Sequence, residues 1–206
     1  MQVAQLEKIE NLVKRGRDLR NFVNFEIRAA GDGNGELYVE GVACVFNKET
    51  VLWEYDGVQY KEKVDARAFD SADMTDVIFN YNHSGKVVAR TRNKTLELFV
   101  KQDGLHIRAR LDGTEEGRKL WEEIKGGYID RMSYMYSTQE DAYDRATHTR
   151  TILKVKKLYD VSAVDIPAYD TTSISARSLL DLDRAEMEKA AAESERRKRA
   201  ILLIEI

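Results

Sequence analysis

Apolar and polar residues alternate through the stretch from Leu105 to Leu111. Leu105, Ile107, Ala109 and Leu111 take one parity, and His106, Arg108 and Arg110 take the other. A period of two sends successive side chains to opposite faces, which predicts a half-buried strand. Residues 96–101 read as its partner, with Gln102-Asp103-Gly104 between them. An Asp-Gly pair between two strand patterns is a hairpin signal, the glycine being expected to take a positive φ. Asp56-Gly57 predicts a second hairpin, joining 51–55 to 58–64. Further strands are expected at 25–28, 36–46, 77–82, 130–137, 150–155 and 157–164. One helix interrupts them. Thr114 is its expected N-cap, Glu115 and Glu116 fill the first turn, Leu120, Trp121 and Ile124 form the apolar stripe, and Gly126-Gly127 ends it. A shorter helix is expected at 64–70. Strands in hairpin order with one or two helices predict a mainly β (α+β) fold, an antiparallel barrel or sandwich decorated by helices.

The ends differ from this centre. Residues 1–22 begin with Leu6, Ile9, Leu12 and Val13 at helical spacing, which predicts a short helical leader or propeptide. Residues 178–206 hold no Gly or Pro and are rich in Ala, Glu, Arg and Leu, a helix-forming composition. Their last six residues, from Ile201 to Ile206, are mostly apolar and suggest a docking segment.

Composition narrows the function. The chain has 206 residues, 43% hydrophobic and 33% charged, enough for one domain with a buried core. A net charge of -3 gives no electrostatic reason to expect nucleic acid as the main ligand. No apolar run approaches the roughly 20 residues of a membrane helix, and the first residues lack a secretory-signal pattern. Cys44 is the single cysteine, so no internal disulfide forms; within VEGVACVF it reads as a small buried hydrophobe.

Three histidines are present. His106 lies on the polar parity of its strand and His148 in the polar run DAYDRATHTR, so both are expected at the surface. Their separation, with no His-x-x-x-His pair, argues against a metal hydrolase. His83 follows the apolar strand VIFNYN and precedes Ser84-Gly85, at the point where a strand gives way to a loop. Ser133 lies in an apolar strand after the helix. Asp160 lies in Leu158-Tyr159-Asp160-Val161-Ser162-Ala163-Val164, where it shares a strand face with Ser162. A buried carboxylate asks for a partner. A serine hydroxyl, an imidazole and a carboxylate are the groups that nucleophilic acyl transfer needs. Each also has a plainer explanation: a backbone-bonded histidine, a packing serine, a solvent-facing aspartate. Residue types and spacing alone leave the matter open.

The segments in series resemble the prohead, or capsid maturation, proteases of tailed bacteriophages over about residues 24–177. The likeness runs through Phe25-x-Ile27-Arg28-Ala29, Gly41-Val42-Ala43-x-Val45-Phe46 and Val64-Asp65-Ala66-Arg67-Ala68-Phe69. It continues through Asn82-His83, Asp103-Gly104-Leu105, Gly127 followed by Ser133, and Leu158 to Val164 with Pro167-Ala168. The resemblance implies kinship with the herpesvirus assemblins, hence a closed antiparallel β-barrel surrounded by a few helices, with the protease domain at 23–177. It implies a serine endopeptidase with Ser133 as nucleophile, His83 as general base and Asp160 as third member, at a position where the family usually has Glu. Asp165 is the alternative acid. Backbone amides are the default oxyanion donors, with Arg131 as a further candidate. No metal or organic cofactor is implied. The implied substrates are scaffold or major capsid protein and the protease itself, inside the procapsid of a phage or prophage in the bacterial cytoplasm. The helical ends would serve as propeptides, packaging tags or homodimer contacts; neither nucleic acid nor membrane is an expected partner. Two departures stand out: Ser84 follows the histidine where many relatives have Asp, and Arg131-Met132-Ser133-Tyr134-Met135-Tyr136 replaces Gly-x-Ser-x-Gly-Phe. They favour, as the alternative, a non-catalytic protease-like assembly module.

Overall fold

Ten strands and one α-helix follow one another along the chain in a computed structural model, which describes residues 18–31, 35–55 and 57–165. In order they are β1 (Asp18–Gly31), β2 (Leu37–Val45), β3 (Thr50–Tyr55), β4 (Val58–Val64), β5 (Ile78–Tyr81) and β6 (Ser84–Arg90). There follow β7 (Leu96–Val100), β8 (Gly104–Arg110), α1 (Glu115–Lys125), β9 (Arg131–Asp144) and β10 (Thr149–Val164). The expected helices of the two ends lie outside the described residues, except that 18–22 belong to β1.

The strands form one sheet in the order β3-β4-β10-β9-β1-β2-β8-β7, with the β5–β6 hairpin branching from β10. The expected closed antiparallel barrel is not what forms. The path ends at β3 on one side and β7 on the other, and β10 pairs in parallel with both β4 and β5. The departure from all-antiparallel pairing lies in β10. Its 16 residues exceed any single partner on its outer edge. Residues 149–152 pair with β4, and 160–163 pair with β5. The chain between those partners runs along the same edge. Val155 N–H donates to Ala68 O at 2.8 Å, and Leu158 N–H donates to Asp73 O at 3.1 Å. One long strand thus replaces the two expected at 150–155 and 157–164.

The helix expected at 64–70 is instead a chain of tight turns. Amides of Ala68, Asp70 and Ala72 each bond a carbonyl three residues back. Ala68 and Phe69 are buried there, and Phe69 meets Phe46 and Tyr134. Among the described residues α1 is therefore the only α-helix. It forms as its sequence predicts. Thr114 accepts from Gly117 N–H, Leu120, Trp121 and Ile124 are buried, and Trp121 donates its indole N–H to Tyr38 O at 2.9 Å.

Both predicted hairpins form, for different reasons. Gly57 takes a φ of 76°, as expected; Asp56 lies outside the described residues. Gly104 has no positive φ. A Cβ there would stand 2.1 Å from Cys44 O, so close approach of β2, and not turn geometry, requires the glycine.

The core gathers Phe69, Phe79, Leu105, Leu111, Met132, Tyr134, Tyr136, Leu158, Val161 and Ala163. Cys44 lies fully buried among them, as expected, and burial pushes its thiol up to about 12. His106 and His148, expected at the surface, are half-buried. His106 bonds Asp103 at 2.9 Å, and His148 packs on the Tyr60 ring at 5.0 Å.

Candidate active site

The site forms where β5, β10 and β9 lie side by side. Asn80 of β5 stands opposite Ser162 of β10, which stands opposite Ser133 of β9. Directly paired residues share a face, so the register alone makes a polar row across three strands. The other face of the same strands is core: Met132, Tyr134, Val161 and Ala163 are wholly buried.

Asp160 reaches this polar face through a bulge. Leu158 opposes Tyr136 and packs into the core with it, whereas Asp160 opposes Met135. Two steps along a regular strand would return to the core face. One extra residue of β10 between those pairs reverses the parity and re-aims the carboxylate. Such bulges are common beside active sites.

His83 arrives on a hairpin tip. Tyr81 pairs with Ser84, leaving Asn82-His83 as a two-residue turn from β5 to β6. Both turn residues take positive φ, 49° for Asn82 and 51° for His83. A turn of this kind matches the strand twist, and Asn suits its first position. Histidine at the second is less common but is among the residues that enter this region more readily, and such a conformation persists where surrounding contacts over-determine it. Those contacts are present. Asn82 N–H donates to Ala163 O at 3.0 Å, and the Asn82 side-chain amide donates to Asp165 Oδ1 at 3.0 Å. Tyr81 O–H donates to Asp165 Oδ2 at 2.6 Å, and that bond, aided by burial, pushes the phenol up to about 12.

The resulting geometry is compact. His83 Nε2 lies 2.5 Å from Ser133 Oγ, and His83 Nδ1 lies 2.6 Å from Asp160 Oδ1. Ser133 is fully buried, and the side chains of His83 and Asp160 are only 5% exposed. With Nδ1 protonated toward the carboxylate, bare Nε2 accepts the Ser133 hydroxyl proton. Hydroxyl, imidazole and carboxylate in one line is the arrangement that serine hydrolases use.

The fold therefore brings together Ser133, His83 and Asp160, which lie 27 to 77 residues apart along the chain. Asp165, the alternative acid, sits on the Asn82 side of the hairpin and bonds Tyr81 and Asn82. Arg131 is half-exposed, two residues from Ser133, with its guanidinium 3.5 Å from the Asp130 carboxylate. Three contributors went unassigned in the sequence: Ser162, Asn80 and Asn82. Asn82-His83 as a two-residue turn was the signal for the last. Among the described residues no group of His, Cys, Asp and Glu could hold a metal ion, and no helix is long and apolar enough to cross a membrane.

A hydroxyl–imidazole–carboxylate line on a mainly β scaffold has the form of a serine-hydrolase site. Residues 23–188 match the family model described as caudovirus prohead serine protease, and the chain belongs to that family. Among solved structures, the capsid assembly protease of bacteriophage T4 is similar at 16% identity and a TM-score of 0.47, covering 73% of this chain and 98% of that one. No curated protein matches the sequence.

Proposed function

We propose that the chain is a serine endopeptidase of procapsid maturation, with Ser133 as nucleophile, His83 as general base and Asp160 as the group that holds the imidazole. The observation that carries this reading is the single imidazole with one nitrogen 2.5 Å from the Ser133 hydroxyl and the other 2.6 Å from the Asp160 carboxylate. Ser133 attacks a peptide carbonyl as His83 takes its proton. The imidazolium then protonates the leaving amine, and water releases the acyl group by the same path. The substrates proposed are scaffold or capsid protein and the protease's own chain, inside the procapsid in the host cytoplasm.

The test is a fluorophosphonate probe followed by peptide mapping. Wild-type protein is expected to carry the label on Ser133, and Ser133→Ala to carry none. On incubation the wild type should shorten at one or both ends while Ser133→Ala stays full length. Equal shortening of both would point to a contaminating protease. A folded wild type with no label would favour the non-catalytic assembly module, to which the replaced glycines around Ser133 lend some support.

A further inference from the structure

Ser162 stands on the opposite side of the imidazole from Ser133. Its hydroxyl oxygen lies 3.1 Å from His83 Nδ1, 3.0 Å from Asp160 Oδ1 and 2.6 Å from Asn80 Oδ1. Ser162 is fully buried and Asn80 is 4% exposed. Building two polar side chains into such a place is costly unless both are bonded, and here they are bonded to each other.

A hydroxyl has one proton and two lone pairs. Two acceptors lie within its reach, Asn80 Oδ1 at 2.6 Å and Asp160 Oδ1 at 3.0 Å, and the proton goes to this pair. A lone pair is then left facing His83 Nδ1. That nitrogen meets two oxygens, the Asp160 carboxylate at 2.6 Å and the Ser162 hydroxyl at 3.1 Å. If the imidazole proton moved to Nε2, bare Nδ1 would face the Asp160 carboxylate and the Ser162 lone pair, and Nε2 could no longer accept from Ser133. We infer that Ser162, its hydroxyl aimed by Asn80, is a positioning residue that holds the Nδ1–H tautomer of His83 and shares with Asp160 the imidazolium formed during acyl transfer. This inference rests on the triad reading above. Ser162 is not a second nucleophile: its oxygen faces the nitrogen that carries the proton.

Two measurements test it. The first is the saturating rate of fluorophosphonate labelling at Ser133. Ser162→Ala should lower that rate about tenfold, the scale of one lost hydrogen bond, with the probe's half-saturation concentration unchanged. Asn80→Ala should lower it similarly, because Asn80 acts through Ser162. The double variant should be no slower than either single one, as residues acting as one unit are non-additive. Multiplying losses, or singles that label at the wild-type rate, would overturn the inference. The second measurement is the nitrogen NMR signature of His83, assigned with His83→Asn. Wild type should show Nδ1 protonated and Nε2 bare, and Ser162→Ala a larger share of protonated Nε2. An unchanged tautomer would overturn the inference. If wild type fails to label, the triad reading falls, and the NMR result still decides whether Ser162 sets the tautomer.

Discussion

Asn82 and Asp165 are bonded across 83 residues of chain: the Asn82 side-chain amide donates to Asp165 Oδ1 at 3.0 Å. This contact fixes the hairpin tip that carries His83 to the end of β10, the strand that carries Asp160. The two halves of the imidazole's surroundings are thereby tied together one residue from the ring. Asn82→Gly keeps the left-handed backbone and loses the bond. Asn82→Ala loses both, at a further cost of about 1 kcal/mol or more for a left-handed alanine. Thermal melts should rank the glycine variant nearer to wild type. Both variants should label Ser133 more slowly. A glycine variant that labels at the wild-type rate would show that the backbone alone places His83.

The two aspartates near the site should separate cleanly. Asp160→Asn leaves the shape but offers Nδ1 an ambiguous partner, and substitutions of this kind in a triad lower turnover on the order of 10⁴-fold. Asp165→Asn touches Tyr81 and Asn82, so a loss of about tenfold or less is expected, the scale of one hydrogen bond. It should also lower the Tyr81 ionisation, since the Asp165 bond is the main cause of its rise. Labelling rates and phenolate absorbance on alkaline titration check the pair. Reversed rankings would make Asp165 the acid.

Ser133 is fully buried, and β1 runs along the edge of β9 away from β10, with Asn21 opposite Ser133. Between Asn21 and Glu26 the pairing slips, so four residues of β1 stand against Met132 alone. Irregular pairing of this kind is a weak point in a ladder. A chain starting at Phe22 removes the paired residues 18–21 and should label at Ser133 faster than the full chain. Slower labelling in a folded truncation would mean that β1 builds the site instead of covering it.

Much of this was legible in the sequence because it depends on local rules. Period-two alternation located β8 to within a residue, and the Thr114 cap and the Leu120, Trp121, Ile124 stripe located α1. Asp160 and Ser162 were placed on one face by parity, and they share it. What escaped depends on contacts distant in sequence. The Leu158–Asp160 bulge is set by how β10 sits on β9, and no residue type announces it. The β6 strand was missed because Ser84-Gly85-Lys86 reads as loop; it becomes strand by pairing back on β5. The parallel pairing of β10 with β4 and β5 was missed because it leaves no signature in either partner's own pattern.

Stability should hinge on a buried ion pair at the other end of β10. Arg150 bonds Glu62 Oε2 at 3.2 Å and Asp141 Oδ2 at 2.5 Å, with Glu62 fully buried. Arg150→Met takes the guanidinium away from a buried carboxylate, and breaking a buried pair on one side costs about 3–5 kcal/mol. Replacing both partners, as Glu62→Leu with Arg150→Met, should recover a large part of that loss, because the desolvated charge is gone. Urea unfolding of the three proteins decides it. A double variant no more stable than Arg150→Met would place the loss in packing rather than charge.

Alkali should weaken the fold through Cys44. Burial raises its thiol to about 12, whereas an unfolded thiol ionises near about 8.5. Between those values the unfolded chain sheds a proton that the folded one keeps, so stability falls as pH rises. The slope approaches about 1.4 kcal/mol per pH unit. Buried phenols such as Tyr134, also raised by burial, add to the effect only above about 10, where an unfolded tyrosine ionises. The window from roughly 8.5 to 10 therefore belongs mainly to the thiol. Urea midpoints at pH 8, 9 and 10 should fall for wild type and fall less for Cys44→Ala. The same burial should make the thiol slow toward Ellman's reagent until the protein unfolds. Parallel slopes for the two proteins, or a thiol that reacts at once in the native state, would show that Cys44 is reached by solvent.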